Sequence, residues 1–338
     1  MNLRKKENLR IFGPNKSCAR LEGSKAFSKD FMIRHKIPTA RYKEYTNLDE
    51  AISEVDSFGY PVVIKADGLA AGKGVVISTN REDSISTLKE IMADKKFGDA
   101  GNKIVIEEFL SGTETSILAF VDNNTIVPMV SAKDHKKVYD YEKGPNTGGM
   151  GTFSPSEVYA DELAENIKTN VLNATLEGFK KDNLNYKGIL FVGLMITDDG
   201  PKVLEYNTRF GDPETQSILF RLDTDLNKIM NAIIDNKLSD IEINYKSEES
   251  VCVIITSEGY PDSYEKGKII TGLENLDKDI VVFHSGTKMD NGNLVTSGGR
   301  VIGVTAKAAS VKDAAAKVYE NIKKISFEGM HYRTDIGV

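Results

Sequence analysis

The spacing of apolar and polar residues divides the chain into helical and extended stretches. In SKAFSKDFMIRHK, Phe27 and Phe31 stand at helical spacing behind Ser24, a good N-cap, and Pro38 ends the run. Asn47 caps NLDEAISEVDSF in the same way, with Leu48, Ala51, Ile52 and Val55 on one face. The period then changes: VVIK and VVIS are β-branched runs that read as strands, separated by the glycine-rich DGLAAGKG, and REDSISTLKEIMAD returns to an amphipathic helix with Ile85, Leu88 and Met92 inward. KIVIEEFL, Lys103 to Leu110, reads as a strand, and TSILAF and TIVPMV form a hairpin around DNN. From Ser131 to Pro155 apolar periodicity almost vanishes, which predicts a long loop, either functional or disordered. A helix from about Tyr159 to Lys180 comes next, then KGILFVGLMI and PKVLEYN, strands joined by TDDG, and further helices to about Leu238. YKSEES reads as a linker. Val251 to Val304 is rich in short strands and glycine turns, and VKDAAAKVYENIKKI is a closing helix. The pattern as a whole predicts an α+β protein.

Composition narrows the class without naming a function. The 338 residues are 40% hydrophobic and 28% charged, the profile of an ordinary globular chain with room for more than one domain. A net charge of -6 leaves no global footprint for nucleic acid, although a local cationic pocket for a small anion remains open. Two cysteines cannot build a disulfide framework or a cysteine metal site, and four histidines without a helical pair argue against zinc. Met1 to Arg10 is basic but lacks the apolar core of a signal peptide, and no apolar run approaches a membrane span, so a cytoplasmic protein with no membrane partner is expected.

The candidate chemistry starts at the glycine hairpin, Asp67 to Gly74. Glycines let backbone N–H groups approach an anion, and lysine adds charge beside them. It is not a P-loop: Gly68 and Gly72 stand one residue too close, Gly74 replaces the hydroxyl, and Val75 to Ile77 continue as a strand where a P-loop would open a helix. A phosphate cradle and an ordinary flexible hairpin both remain open. Glu205 and Asn207, two apart on one strand, share a face and suit Mg2+, or form a polar strand end. Arg209 beyond them can grip a carboxylate or phosphate, or pair with Asp212 or Glu214. Glu107 and Glu108 alternate faces, so one can enter a pocket while the other meets water. Lys25 alone reads as a solvated helix lysine, and Asp134, His135 and Lys136 as a polar loop.

Taken in order, IFGP, EGSKAFSKDF, IPTA, VIKADGLAAGKGV, GDAG, VIEEFLSGTE, DHK, GPNTGGMG, LEYNTRFGDPETQ, GYP, HSGTK and TSGGRV resemble the phosphoribosylamine-glycine ligase (glycinamide ribonucleotide synthetase) family of the ATP-grasp superfamily, from about Ile11 to Val338. The resemblance implies an ATP-grasp fold, two α+β subdomains clasping ATP, over 24–245, with a lid subdomain at about 43–109. A small C-terminal α+β domain would occupy 246–338, and 1–23 would be a residual N-terminal segment. It implies that glycine is activated by ATP as glycyl phosphate and captured by 5-phosphoribosylamine, in purine biosynthesis. Lys25 and Lys65 would hold ATP phosphates beneath a lid carrying Asp67, Gly68, Gly72, Lys73 and Gly74. Glu107, with Glu108 beside it, would face the adenine amino group, Phe109 and Leu110 would bound the base, and Glu114 would accept from the ribose. Glu205 and Asn207 would bind Mg2+, with Mn2+ as a substitute. Asp134, Gly148, Gly149 and Arg209 would surround glycine and the acyl phosphate, and Arg300 would meet the ribose-phosphate end.

Family members begin with an N-terminal α/β domain, of which about ten residues precede IFGP here. The expectation is a monomer, with a separate N-terminal domain as its possible partner, that binds ATP and metal but holds phosphoribosylamine weakly. Two alternatives stay open: another ATP-grasp carboxylate-amine ligase, and an ATP-binding module without full turnover.

Overall fold

The computed structural model describes residues 9–68, 74–156 and 161–338. Its contacts gather into two compact units, the first holding 1–128, 160–209 and 230–241, the second 129–159, 210–229 and 242–338.

After a short helix, Arg20–Gly23, the first unit has the helix Lys25–Arg34, and the Ser24 hydroxyl accepts from the Phe27 amide at 3.1 Å, the cap the sequence predicts. Four strands come after it: β1 (Tyr42–Tyr45), β2 (Val62–Ala66), β3 (Val75–Ser78) and β4 (Ile104–Glu108). They form one antiparallel sheet in the order β1-β4-β2-β3. The helices Leu48–Glu54 and Arg81–Met92 share one core with Val62, Ile64, Ala66, Ile104 and Ile106. Side chains alternate along a strand, so Lys65 and Glu107 are driven to the opposite face from that core. Val63 lies directly across from Glu107, which makes Lys65 its diagonal neighbour.

Next, β5 (Thr113–Val121) and β6 (Ile126–Pro128) form the predicted hairpin. The chain then enters the second unit, where β7 (Lys133–Asp134), β8 (Lys137–Tyr139), β9 (Lys143–Asn146) and β10 (Gly151–Ser154) occupy the stretch expected to be a loop. The strands are too short to show a period, and partners from distant sequence hold them. β10 is fully buried between β7 and β13 (Glu249–Ser257), while β8 and β9 form a hairpin of their own.

Back in the first unit, β11 (Gly188–Thr197) and β12 (Gly200–Asn207) join β5 and β6 in an antiparallel sheet ordered β12-β11-β5-β6. Tyr206 is buried against Phe31 and bonds Thr175 at 2.7 Å, so its neighbours Glu205 and Asn207 point to the other face.

The second unit closes with β13, β14 (Val281–His284), β15 (Thr287–Asp290), β16 (Asn293–Thr296), β17 (Arg300–Ala308) and β18 (Met330–His331). The main sheet runs β14-β17-β13-β10-β7, with β18 pairing to β13. The helix Val311–Ile322, capped by Ser310, buries Ala314, Ala315, Val318 and Ile322 against it. In this unit β7 and β10, far earlier in the sequence, belong to the sheet built by β13 and β17.

Residues 331–335 also strap down the β8–β9 hairpin. The buried Arg333 guanidinium donates to the Lys137 carbonyl at 3.1 Å and pairs with Glu142 at 2.8 Å and Asp335 at 2.7 Å. Outside it, the Tyr141 amide donates to Asp335 and the Thr334 amide to Asp140, both at 2.8 Å. Among the described residues no helix is long and apolar enough to cross a membrane.

Candidate active site

The first unit gathers a group of charged side chains that the sequence could only suggest one at a time. Glu107, 1% exposed, has a lysine on each oxygen: Lys65 at 2.8 Å from Oε1 and Lys29 at 2.8 Å from Oε2. Burial pushes the Glu107 carboxyl up, but Lys65 and Lys29 outweigh it and hold the group below the usual carboxylate range. Burial also drives the Lys29 ammonium down to about 8, against the pull of Glu107. The sequence reading missed Lys29. A lone helix lysine normally lies in water, and only the helix's docking on the strands reveals it.

Lys25 donates to the Gly68 carbonyl at 3.0 Å. Burial lowers its pKa; Glu205 opposes that most strongly, and the nearby Lys65 adds to it. Asp67 faces the start of helix Lys25–Arg34, accepting from the Ala26 amide at 3.0 Å and the Ser24 hydroxyl at 3.1 Å. A carboxylate is favoured at that helix end, so Asp67 ties the mouth of the glycine hairpin to the helix. The Gly74 carbonyl accepts from Ala66 at 2.9 Å and closes the strand pair, while Gly72 and Lys73 lie outside the described residues.

Glu108 turns away from Glu107, as alternation requires, and accepts from the Arg41 amide at 2.9 Å. Phe109 is exposed, Leu110 is buried, and Glu114 is exposed at the start of β5.

On β12, the Asn207 amide lies 3.4 Å from Glu205 Oε1. Among the described residues no three His, Cys, Asp or Glu side chains gather as a metal cage. One carboxylate and one amide fit a hard cation that takes the rest of its shell from water and phosphate oxygens. Arg209 has a partner on a distant element. Its Nε donates to Glu22 at 3.0 Å, and the same carboxylate accepts from the Thr208 amide at 2.9 Å. Glu22, unremarked in the sequence, fixes the chain just past the strand end that carries Glu205 and Asn207.

The second unit brings together Asp134, Gly148, Gly149 and Arg300. Arg300 donates to the Gly148 carbonyl at 2.7 Å and to Asp212 through both its carbonyl, at 3.0 Å, and its carboxylate, at 2.7 Å. The Gly148 amide donates to the Tyr260 hydroxyl at 2.9 Å. Gly149 has φ +111°, and a Cβ there would lie 2.3 Å from Pro213 Cδ and 2.9 Å from Asp134 Oδ1, so only glycine fits.

His135 is buried against Phe153, and burial, reinforced by Arg333, pushes its ring down to about 4. An unfolded histidine titrates near 6.5, so the folded state resists a proton that the unfolded chain accepts. The resulting stability is complete above about pH 6.5 and is lost as pH falls toward 4, up to about 3 kcal/mol. Urea denaturation at pH 7 and pH 5 should show that loss, and His135→Phe should flatten it. An equal loss in the variant would place the titrating group elsewhere.

Residues 23–215 match the family model for the phosphoribosylglycinamide synthetase ATP-grasp (A) domain, and 250–338 match the C domain of the same enzyme. The phosphoribosylamine–glycine ligase of Halalkalibacterium halodurans is 46% identical over 331 residues, 98% of this chain and 77% of that protein. The Fusobacterium nucleatum ligase is 46% identical over 333 residues, 98% of this chain and 78% of its own length. Among solved structures, the Thermotoga maritima phosphoribosylamine–glycine ligase superposes with TM-score 0.88 at 36% identity, covering 96% of this chain and 81% of the other. A biotin carboxylase domain from Hydrogenobacter thermophilus, solved with MgADP, superposes with TM-score 0.74 at 18% identity over 97% of this chain and 71% of its own, a likeness of fold alone. The fold is thus ATP-grasp, and with both domain models matched in order on one chain and relatives 46% identical over 98% of it, the chain belongs to the phosphoribosylamine–glycine ligase family.

Proposed function

We propose that this chain joins glycine to 5-phosphoribosylamine with cleavage of ATP, giving glycinamide ribonucleotide, ADP and phosphate. The observation that carries the reading is the convergence of Lys25, Lys65, Glu107, Glu205 and Asn207 in one unit that matches an ATP-grasp domain. The catalytic domain is read as 24–245, with its lid at about 43–109, and 246–338 as the C-terminal domain.

In this reading Lys25 and Lys65 hold the nucleotide's phosphates and Glu107 faces the adenine amino group. Glu205 and Asn207 would hold Mg2+, which when bound would supply charge stabilisation at the phosphoryl group. A glycine carboxylate oxygen forms a bond to the γ-phosphorus as the bond to the β-phosphate oxygen breaks, which releases ADP. The amine nitrogen of phosphoribosylamine then bonds to the glycyl carbon, phosphate leaves, and the nitrogen loses a proton to water. Arg209 and the Gly148–Gly149 segment serve glycine and the acyl phosphate, and Arg300 serves the ribose-phosphate end. Both cysteines are free and buried, which suits a reducing compartment such as the cytoplasm.

The test is ADP release with glycine present or withheld, repeated with phosphoribosylamine generated in situ. Glycine-dependent ADP release, with glycinamide ribonucleotide appearing when both substrates are present, is the expected result. Release indifferent to glycine but stimulated by another carboxylate would assign the chain a different ligase reaction.

A further inference from the structure

We propose that Lys29 is a positioning residue, the fixed counter-ion that keeps Glu107 charged and in place while Lys65 leaves it for the nucleotide's phosphates. This rests on the nucleotide site proposed above.

The two lysines on Glu107 are anchored unequally. Lys29 is 2% exposed, and besides Glu107 it reaches Thr39 Oγ1 at 2.7 Å. That hydroxyl donates its single proton to the Val203 carbonyl at 2.6 Å, so toward Thr39 the ammonium must be the donor. Thr39 also forms a β-bridge with Val203, and the Val203 amide donates to Pro38 at 2.7 Å. Lys29 is therefore held between β4, which carries Glu107, and β12, which carries Glu205 and Asn207.

Among the described residues Lys65 has no such second anchor. Apart from Glu107 its nearest polar partner is the Leu204 carbonyl at 3.4 Å, at the limit of a hydrogen bond. Its four-carbon stem can swing while the strand stays still. At rest the three groups sum to one positive charge. When Lys65 turns to phosphate, Glu107 and Lys29 remain as a neutral buried pair. Without Lys29, that movement would strand a buried carboxylate, which is strongly unfavourable, and Glu107 would retain Lys65 instead.

The experiment is calorimetric titration of the full chain with MgATP. Lys29→Met should weaken binding by about ten- to a hundred-fold, the scale of one charge-assisted hydrogen bond. Adding Glu107→Gln removes the carboxylate that traps Lys65 and should restore triphosphate affinity to that of Glu107→Gln alone. A lysine that only supports packing would give no such rescue. Wild-type affinity in Lys29→Met overturns the inference. If Lys29→Met does not fold, the neutral double variant decides the matter: affinity well below that of Glu107→Gln alone also overturns it. Lys65→Met separates the two levels of the argument. Unchanged MgATP affinity there removes the phosphate role of Lys65 and with it the nucleotide reading. A loss there beside an unaffected Lys29→Met removes only the counter-ion.

Discussion

Glu205→Gln is expected to leave a folded protein that forms ADP at least about a hundred-fold more slowly. The side chain is half-buried on β12, and the fold beneath it is held by Tyr206 on the opposite face, so an isosteric amide disturbs little packing. What it removes is charge. A cation at the transferring phosphoryl group supplies several kcal/mol of transition-state stabilisation, and each 1.36 kcal/mol is about tenfold in rate. The loss spreads to Lys25 as well, because Glu205 is the carboxylate that most supports its protonation against burial. Single-turnover ADP formation at limiting Mg2+ measures the effect, with a thermal melt as the control for folding. An unchanged rate with an unchanged melt would take Glu205 out of the site.

Gly149→Ala should lower turnover by a comparable factor while leaving MgATP affinity near that of the wild-type chain. The added methyl would lie 2.3 Å from Pro213 Cδ, far inside van der Waals contact, on a backbone whose φ of +111° disfavours any side chain. Strain and overpacking each cost about 1–3 kcal/mol, which should lower the melting temperature by several degrees. The larger effect is geometric. Gly149 bonds Thr147 Oγ1 at 3.0 Å, and its neighbour Gly148 holds both Arg300 and the Tyr260 hydroxyl. Relief of the clash at Gly149 shifts that whole set, and a displacement of about 1 Å among positioning groups can cost about a hundred-fold in rate. Steady-state turnover beside calorimetric MgATP affinity separates the two effects. Wild-type turnover would mean that the Gly148–Gly149 segment does not position a reacting group.

The parts of the site legible in the sequence are those governed by local periodicity. Alternation along a strand is enough to separate Glu107 from Glu108 and to set Glu205 beside Asn207, and the Ser24 cap comes from the residue before a helical run. Lys29, Glu22 and the role of Asp67 were not legible, because their partners come from other elements. The identity of Lys29's partner depends on how helix Lys25–Arg34 docks on β4 and β12, and Asp67 meets the helix end only through the fold of the first unit. The stretch from 131 to 155 was misread as a loop for a related reason. Strands of two to four residues carry no period, and β10 is stabilised by β13 rather than by anything nearby.

The strap across the β8–β9 hairpin also sets an order of assembly during synthesis. Tyr141 and Asp335 stand 194 residues apart in sequence, and Arg333 reaches back slightly farther, 196 residues, to the Lys137 carbonyl. The strands carrying Lys65, Glu107, Glu205 and Asn207 have all been synthesised by residue 207, so their sheets can pair while translation continues. The hairpin leading to Gly148 and Gly149 pairs with itself early but is strapped down later. Its clamp, residues 331–335, is translated well after residue 207, and the closure of so long a loop is deferred until those residues emerge. A nascent chain would thus complete the nucleotide-side sheets first and acquire an ordered Gly148–Gly149 segment only once residues 331–335 are free to fold back.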